Sequence, residues 1–246
     1  MTFVRLVRLA SIGGLVLFAS DVSAQSIGDA ELAFTEGRFV EAADIAEALE
    51  TSAGYALAAK SLAVYGHYVA TGEDERDEVI DRAIRMGEEA VRADSTNAEA
   101  HFQSAHAVGR YAQTVGTMTA LREGLGGKVR ELLEAALAIN PDFAEAHLAL
   151  AGWHADVAAA GRVARWMYGG NREDAIAHYE RTMELEPDHK VVLHGYGTRL
   201  PYLDEEKGVE RAREMLSRAL DIPIRDVYEE YVHLEILDAL DALEGR

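Results

Sequence analysis

The sequence predicts an all-α protein in which antiparallel helix pairs stack into a superhelix, with a capping helix at the C-terminus. Three observations predict this fold. From Ala30 onward, apolar residues recur every three or four positions, which is helical periodicity, and no segment alternates as a strand would. Short breaks separate the periodic segments. Similar stretches of sequence recur 46 positions apart, which is typical of a repeat architecture.

The breaks divide the chain into roughly ten to twelve helices joined by short turns. They fall at Gly37, 51–54, 71–74, 94–97, 124–127, Asn140-Pro141, Gly169-Gly170, Glu186-Pro187 and 221–223. Each break holds glycine, proline or a residue type that caps helix ends. Because 49% of the 246 residues are hydrophobic, the chain can bury a sizeable core within one domain, which we expect over residues 25–246.

The repeat is visible at two points of the unit. The stretch Ala98-Glu99-Ala100-His101 returns 46 positions later as Ala144-Glu145-Ala146-His147. The helix end 135–141 returns at the same spacing as 181–187, and both copies finish on proline. A weaker third copy ends at Ser95. Three ends in register predict successive copies of one structural unit.

Small residues at fixed positions identify the unit as tetratricopeptide-like. This repeat is a helix pair of about 34 residues, with small residues where its two helices touch and proline at the exit turn. The segments 37–42 and 170–175 fit, as does the unit that ends at Pro223. The close contacts are predicted at Ala42, Ala83, Ala175 and Ala212. The two 46-residue units hold about a dozen extra residues, expected on one side of the stack.

The two ends of the chain have separate predictions. Residues 226–243 form an amphipathic segment that would cap the solenoid. Residues 1–24 have the features of a signal peptide: Arg5 and Arg8 precede a short apolar run, and Val22-Ser23-Ala24 offers a cleavage site. We expect a mature protein that starts at Gln25 and is periplasmic or secreted, with an uncleaved anchor as the alternative.

Composition excludes several classes of function. The chain has no cysteine, which excludes disulfides, thiolate catalysis and zinc–thiolate sites. Its formal net charge of −19 disfavours nucleic acid and anionic membranes as partners, so no stable membrane insertion is expected after signal cleavage. Neither a Gly-x-Ser-x-Gly nor a His-Glu-x-x-His motif occurs, and 124–127 lacks the remainder of a phosphate loop. We therefore predict no enzyme, cofactor or metal site.

Part of the chain resembles a known family. Several stretches are similar to the core of the "regulator of microtubule dynamics" proteins. They are Gly109-Arg110-Tyr111, Gly116, Gly124, the helix 129–137, the stretch 146–153, Trp166-Met167-Tyr168-Gly169 and Glu173-Asp174-Ala175. The resemblance covers roughly residues 98–190 and implies a tetratricopeptide-like fold that acts through protein contacts, without catalytic residues. Because of the predicted export, tubulin is not the expected partner. A fainter resemblance is to exported helical-repeat proteins associated with TRAP-type solute transporters.

In a tetratricopeptide-like superhelix, the first helix of each pair lines the concave groove. The register predicts these groove residues: Phe102, His106 and Arg110; Leu148, Gly152 and Asp156; His194, Thr198 and Tyr202. His101 and His147, at equivalent repeat positions, are interpreted as packing residues. The residues Trp153, Trp166, Met167 and Tyr168 form a cluster rich in aromatic rings, which either packs between repeats or lines a ligand pocket, with Arg162, Arg165 or Asp156 orienting the ligand.

These observations support two main functional hypotheses. The first is an exported adaptor or scaffold that binds a protein or peptide in its concave groove. The alternative is a small-molecule-binding accessory component of a solute transporter. A hydrolase that uses scattered histidines and carboxylates is a third hypothesis. The identity of the partner and the oligomeric state stay open.

Overall fold

The computed structural model describes residues 25–204 and 206–244. The predicted signal peptide lies outside these residues. The described chain consists of helices and connecting turns, without a strand. The helices are α1 (Ile27–Thr35), α2 (Phe39–Glu47), α3 (Ser52–Tyr68), α4 (Glu73–Ala93), α5 (Ala98–Val115), α6 (Thr117–Arg122), α7 (Leu125–Ile139), α8 (Ala144–Ala159), α9 (Arg162–Tyr168), α10 (Arg172–Leu185), α11 (Lys190–Gly197), α12 (Leu200–Leu203), α13 (Gly208–Asp221) and α14 (Val227–Glu244).

Five helix pairs stack in succession: α1–α2, α3–α4, α5–α7, α8–α10 and α11–α13. The first helices of neighbouring pairs also contact one another along the stack. In the third and fourth pairs, a short helix lies between the two partners, α6 in one and α9 in the other. These short helices account for the extra residues of the two 46-residue units. The predicted all-α superhelix of stacked pairs is confirmed.

Helix starts and close contacts follow from local chemistry. Thr51 caps α3 and Asn97 caps α5, each accepting a hydrogen bond from a backbone N–H of the first turn. The alanines predicted at the helix contacts, Ala42, Ala83, Ala175 and Ala212, are all fully buried. Gly87 brings α4 against α5, since a Cβ there would lie 2.7 Å from the Cα of Ser104. Small side chains therefore set the distance between paired helices.

The repeated histidines have a specific role at the helix starts. His101 Nε2 lies 3.0 Å from the carbonyl oxygen of Ser95, and His147 Nε2 lies 3.0 Å from that of Pro141. In both repeats the ring closes the turn that precedes its helix. These histidines were predicted to be packing residues. The hydrogen bond to the preceding turn gives a polar role that explains why histidine recurs at this position of both repeats.

Buried side chains form separate clusters along the stack. The N-terminal cluster includes Phe39 and Leu62, and the C-terminal cluster includes Tyr179, Leu193 and Ile236. A third cluster between them holds Leu133, Leu150 and Trp153. This distribution is expected of a solenoid, because each pair buries its apolar faces only against its neighbours.

The last helix, α14, follows the fifth pair and packs on α11 and α13, as expected for a cap. It also contacts α1 at the other end of the stack. Tyr231 of α14 stacks on Tyr68 of α3 with ring centroids 4.9 Å apart. Gly37, with a φ of +79°, lies so close to Val227 that a Cβ would meet it at 2.8 Å. The superhelix therefore closes on itself through α14, which the sequence did not predict.

Candidate binding groove

The inner wall of the stack contains a cavity of about 550 Å³ between α5, α7, α8 and the turn after α11. Seven residues that the sequence placed in a groove or pocket line this cavity: His106, Arg110, Leu148, Gly152, Trp153, Asp156 and Tyr168. Six of them come from α5 and α8, the first helices of two successive pairs, and Tyr168 comes from α9. The structure thus brings together side chains that are up to 62 positions apart in sequence.

A second cavity, of about 700 Å³, adjoins the first and shares Asp156 and Arg199 with it. Thr198 and Tyr202, both predicted groove residues, line this second cavity. Arg165, which the sequence suggested as a ligand-orienting residue, lies there as well. The two cavities form a continuous recess, which we call the groove.

Two predicted groove residues lie elsewhere. Phe102 packs edge-on against Phe143, with ring centroids 5.1 Å apart, as part of the cluster around Leu133. His194 faces α14, where its Nε2 lies 3.7 Å from a carboxylate oxygen of Glu235. The prediction was wrong for His194 because the closing helix α14 covers this part of the inner wall. It was wrong for Phe102 because the ring fills the contact between two pairs.

Of the rings suggested for a ligand pocket, Trp153 and Tyr168 line the first cavity, whereas Trp166 does not. Trp153 is buried, and its Nε1 donates to the carbonyl oxygen of Gly126 at 2.8 Å. Trp166 has 86% of its surface exposed. The seven-residue helix α9 turns Ala164 and Tyr168 toward the core, one helical turn apart, and this places Trp166 on the opposite face.

Electrostatics in the first cavity centre on two arginines. The Nε of Arg110 donates to Nε2 of His106 at 3.3 Å. Burial, reinforced by the Arg110 charge, holds the pKa of His106 well below its ordinary value, so the ring is neutral and can accept this bond. The Nη2 of Arg199 lies 3.4 Å from Asp156, whose side chain is largely exposed. The Nε of Arg199 is buried and makes no hydrogen bond within the described residues.

Arg199 was not among the residues predicted from the sequence. The prediction extended the third inner helix through Thr198 to Tyr202, whereas α11 ends at Gly197 and a turn follows. That turn points Arg199 into both cavities. The available signal was its position directly after Thr198, as a cation in a chain with 43 acidic and 24 basic residues. Within the described residues, no three histidine or acidic side chains converge as metal ligands. None of the described helices combines the length and the apolar character that a membrane span requires.

Stacked helix pairs with a recessed inner wall define a tetratricopeptide-like helical-repeat protein. Residues 42–244 match the family model described as "Regulator of microtubule dynamics protein 1-3". Since this match spans most of the sequence, the chain belongs to that family. The resemblance inferred from residues 98–190 is confirmed and extends over nearly the whole described chain.

One solved structure supports the fold. The chain is similar to TTC0263, a thermophilic TPR protein in Thermus thermophilus, with 13% identity and a TM-score of 0.61, over 87% of this chain and 96% of that chain. It is also similar to YrrB, described as a TPR protein with an unusual peptide-binding site, with 18% identity and a TM-score of 0.44, over 87% of this chain and 89% of that chain. No curated protein sequence matches the chain significantly.

Proposed function

We propose that this protein is an exported, non-catalytic adaptor that binds an extended segment of a partner protein in its groove. The observation that carries the proposal is the shared lining of the first cavity. Five residues selected from the repeat register line one recess on the inner wall: His106, Arg110, Leu148, Gly152 and Asp156. Concave inner walls are the surfaces that helical-repeat proteins offer to partners. The recess combines apolar walls with arginine, which is a frequent anchor in protein interfaces.

Site-specific photo-crosslinking tests this proposal. A photoreactive phenylalanine analogue replaces Gln113, which is exposed and lines the cavity. The matched control carries the analogue at Glu131, an exposed position on the face of α7 opposite Val129 and Leu133. In the envelope fraction of the source organism, we expect a crosslinked partner peptide at position 113 and none at 131. Arg110→Glu should reduce the yield. Equal crosslinking at both positions would contradict groove binding.

The export component has its own test. Intact-mass measurement of the full-length chain, expressed in a bacterium with two membranes, should give the mass of residues 25–246. The protein should appear in the periplasmic fraction. Retention of residues 1–24 in a membrane fraction would instead support the uncleaved anchor.

The size of the cavities favours one second candidate, a small-molecule binder. Volumes of about 550 and 700 Å³ lie within the range of pockets for small ligands, roughly 300–1,000 Å³. Native mass spectrometry of protein purified from its source distinguishes the two functions. A bound organic molecule of constant mass would favour the small-molecule binder, and a ligand-free protein that captures a partner peptide would favour the adaptor.

A further inference from the structure

Two guanidinium groups line the first cavity of a chain that is strongly acidic overall. Arg110 reaches it from α5, and Arg199 reaches it from the turn between α11 and α12. Among the described residues, Asp156 is the acidic side chain that lines the same cavity. The cavity is therefore locally cationic, although the whole chain has a net charge of −19. A local charge opposite in sign to the whole protein selects for anionic ligands.

The hydrogen-bonding capacity of Arg199 is incompletely used. Its Nε is buried without a partner, and a buried donor left unpaired costs free energy. Its contact with Asp156 measures 3.4 Å, longer than the 2.7–2.9 Å of charge-assisted hydrogen bonds. The Asp156 side chain is 63% exposed and can turn to water. An anion inside the cavity would complete the bonding of Arg199.

The charge of Arg110 is also available. Its Nε donates to the neutral ring of His106, and its Nη1 donates to the amide oxygen of Gln113 at 3.2 Å. Both acceptors are uncharged, and no ion pair with a carboxylate forms within the described residues. These two bonds hold the guanidinium in place while its charge stays uncompensated. Such a group suits recognition of an oxyanion by two parallel hydrogen bonds.

An apolar wall adjoins the two arginines. Leu148 and Trp153 of α8 line the same cavity, as does Gly152 between them, which adds no side chain to the wall. A Cβ at Gly152 would lie 3.7 Å from Nε of Arg199 and 3.7 Å from the hydroxyl oxygen of Tyr179. A ligand that fills the cavity therefore meets a guanidinium pair and an apolar surface within one small volume.

We propose that the first cavity binds a carboxylate carried next to an apolar group, with Arg110 and Arg199 holding the carboxylate and the α8 wall holding the apolar group. This assignment rests on the proposed binding function of the groove and names its ligand chemistry. A chain terminus that ends in an apolar residue has this chemistry, and so does a free organic acid. Guanidinium groups match the planar carboxylate, because each can donate two parallel hydrogen bonds to its two oxygens.

Three related probes test the assignment by NMR of the arginine Nε–H groups. N-acetyl-phenylalanine imitates a chain terminus, 4-phenylbutanoate is a free acid, and N-acetyl-phenylalaninamide lacks the charge. We expect one or both acids to shift the Nε–H resonance of Arg199, and the amide to leave it unchanged. A shift by N-acetyl-phenylalanine alone indicates a chain terminus, and a shift by 4-phenylbutanoate of equal or greater size indicates a free acid. Both results support the carboxylate site.

Variants complete the test. Arg110→Gln and Arg199→Gln should each weaken binding of the acid by about tenfold, as expected for loss of a hydrogen bond to a charged group. Arg199→Lys retains the charge and serves as a second variant if Arg199→Gln unfolds; it should weaken binding less. The control is Arg181→Gln, which removes one positive charge from a residue that pairs with Asp142 and Glu184 outside the cavity.

Equal binding of the acid and the amide would overturn the carboxylate site, as would acid binding that both Gln variants retain in full. The absence of any shift with all three probes up to their solubility limits would also overturn it. Crosslinking at position 113 is independent of these outcomes. The proposed adaptor function can therefore survive the loss of the carboxylate site.

Discussion

The hydroxyl group of Tyr68 donates a hydrogen bond of 3.1 Å to the carboxylate of Glu235, 167 positions later in the chain. The bond joins α3, near the start of the stack, to α14 at its end. His67 and His194 flank the same carboxylate, each with Nε2 at 3.7 Å. Burial alone would raise the pKa of Glu235, but the nearby His67 and His194 and the hydrogen bond from Tyr68 lower it on balance. One ionised carboxylate on α14 therefore contacts side chains of α3 and of α11, and it contributes to the closure of the superhelix.

Removing this bond should open the closure and lower stability. Tyr68→Phe retains the stacking on Tyr231 and deletes only the hydroxyl, so we expect a loss of about 1–2 kcal/mol in the free energy of unfolding. Urea denaturation measures this change. The control, Tyr65→Phe, deletes an exposed bond to Glu75 within one end of the stack and should cost less. A double-mutant cycle with Glu235→Gln should give a nonzero coupling energy, and additive effects would contradict the pairing.

Much of the fold could be predicted because it depends on local spacing. Alanines such as Ala42 and Ala175 mark helix contacts within one pair, and their spacing is visible in the sequence. The closure between Tyr68 and Glu235 could not be predicted in this way. The closure depends on the rotation that accumulates over five helix pairs. Each pair contributes a small angle, and no single motif encodes that angle.

The two tryptophans should behave differently toward a neutral quencher. Trp166 is 86% exposed and Trp153 is 8% exposed, so acrylamide should quench one readily accessible and one protected population. Trp166→Phe should remove the accessible population. Trp153→Phe should retain it and lower the free energy of unfolding by about 1 kcal/mol, because the bond to the Gly126 carbonyl is lost. Equal quenching of the two single-tryptophan variants would contradict the placement of α9.

The site was only partly predictable for a related reason. His106, Arg110, Leu148 and Asp156 lie on long, regular helices to which the repeat register applies, and all four line the first cavity. Arg199 lies beyond the end of the short helix α11, where the register no longer applies. The position at which a helix ends depends more on tertiary contacts than on the sequence pattern. The repeat register therefore does not place side chains that lie beyond a helix end.

Stability should fall in weak acid through His178. Burial, followed by the nearby His147 and His154, lowers the pKa of His178 to about 4, from about 6.5 in an unfolded chain; Asp174 opposes this shift. Because the folded state disfavours the charged ring, the stabilising contribution is complete above about pH 6.5 and declines as the pH falls toward 4. The urea midpoint of the wild type should therefore decrease between pH 7.5 and pH 5.

The comparison that isolates this group is His178→Gln. The pH-dependent loss between pH 7.5 and pH 5 should be smaller in this variant than in the wild type. His147 Nε2 bonds to the Pro141 carbonyl and therefore carries the proton, so its bare Nδ1 accepts from Nδ1–H of His178 at 2.8 Å. At pH 7.5 the variant should accordingly be less stable by about 1 kcal/mol. An unchanged pH dependence would exclude His178 as its source.

A close approach between α4 and α5 provides the last test. At Gly87 of α4, an added Cβ would lie 2.7 Å from the Cα and 3.0 Å from the Cβ of Ser104 in α5. Neither atom can move without shifting α5, so Gly87→Ala should destabilise the protein by about 1–3 kcal/mol despite the better helix propensity of alanine. The matched control is Gly109→Ala in α5, where nothing lies within 4 Å of the added Cβ and stability should rise by up to about 1 kcal/mol. Because propensity favours both changes equally, only the packing of α4 on α5 can give them opposite signs in urea denaturation. A stabilising Gly87→Ala would show that the second and third pairs do not pack as closely as their small residues imply.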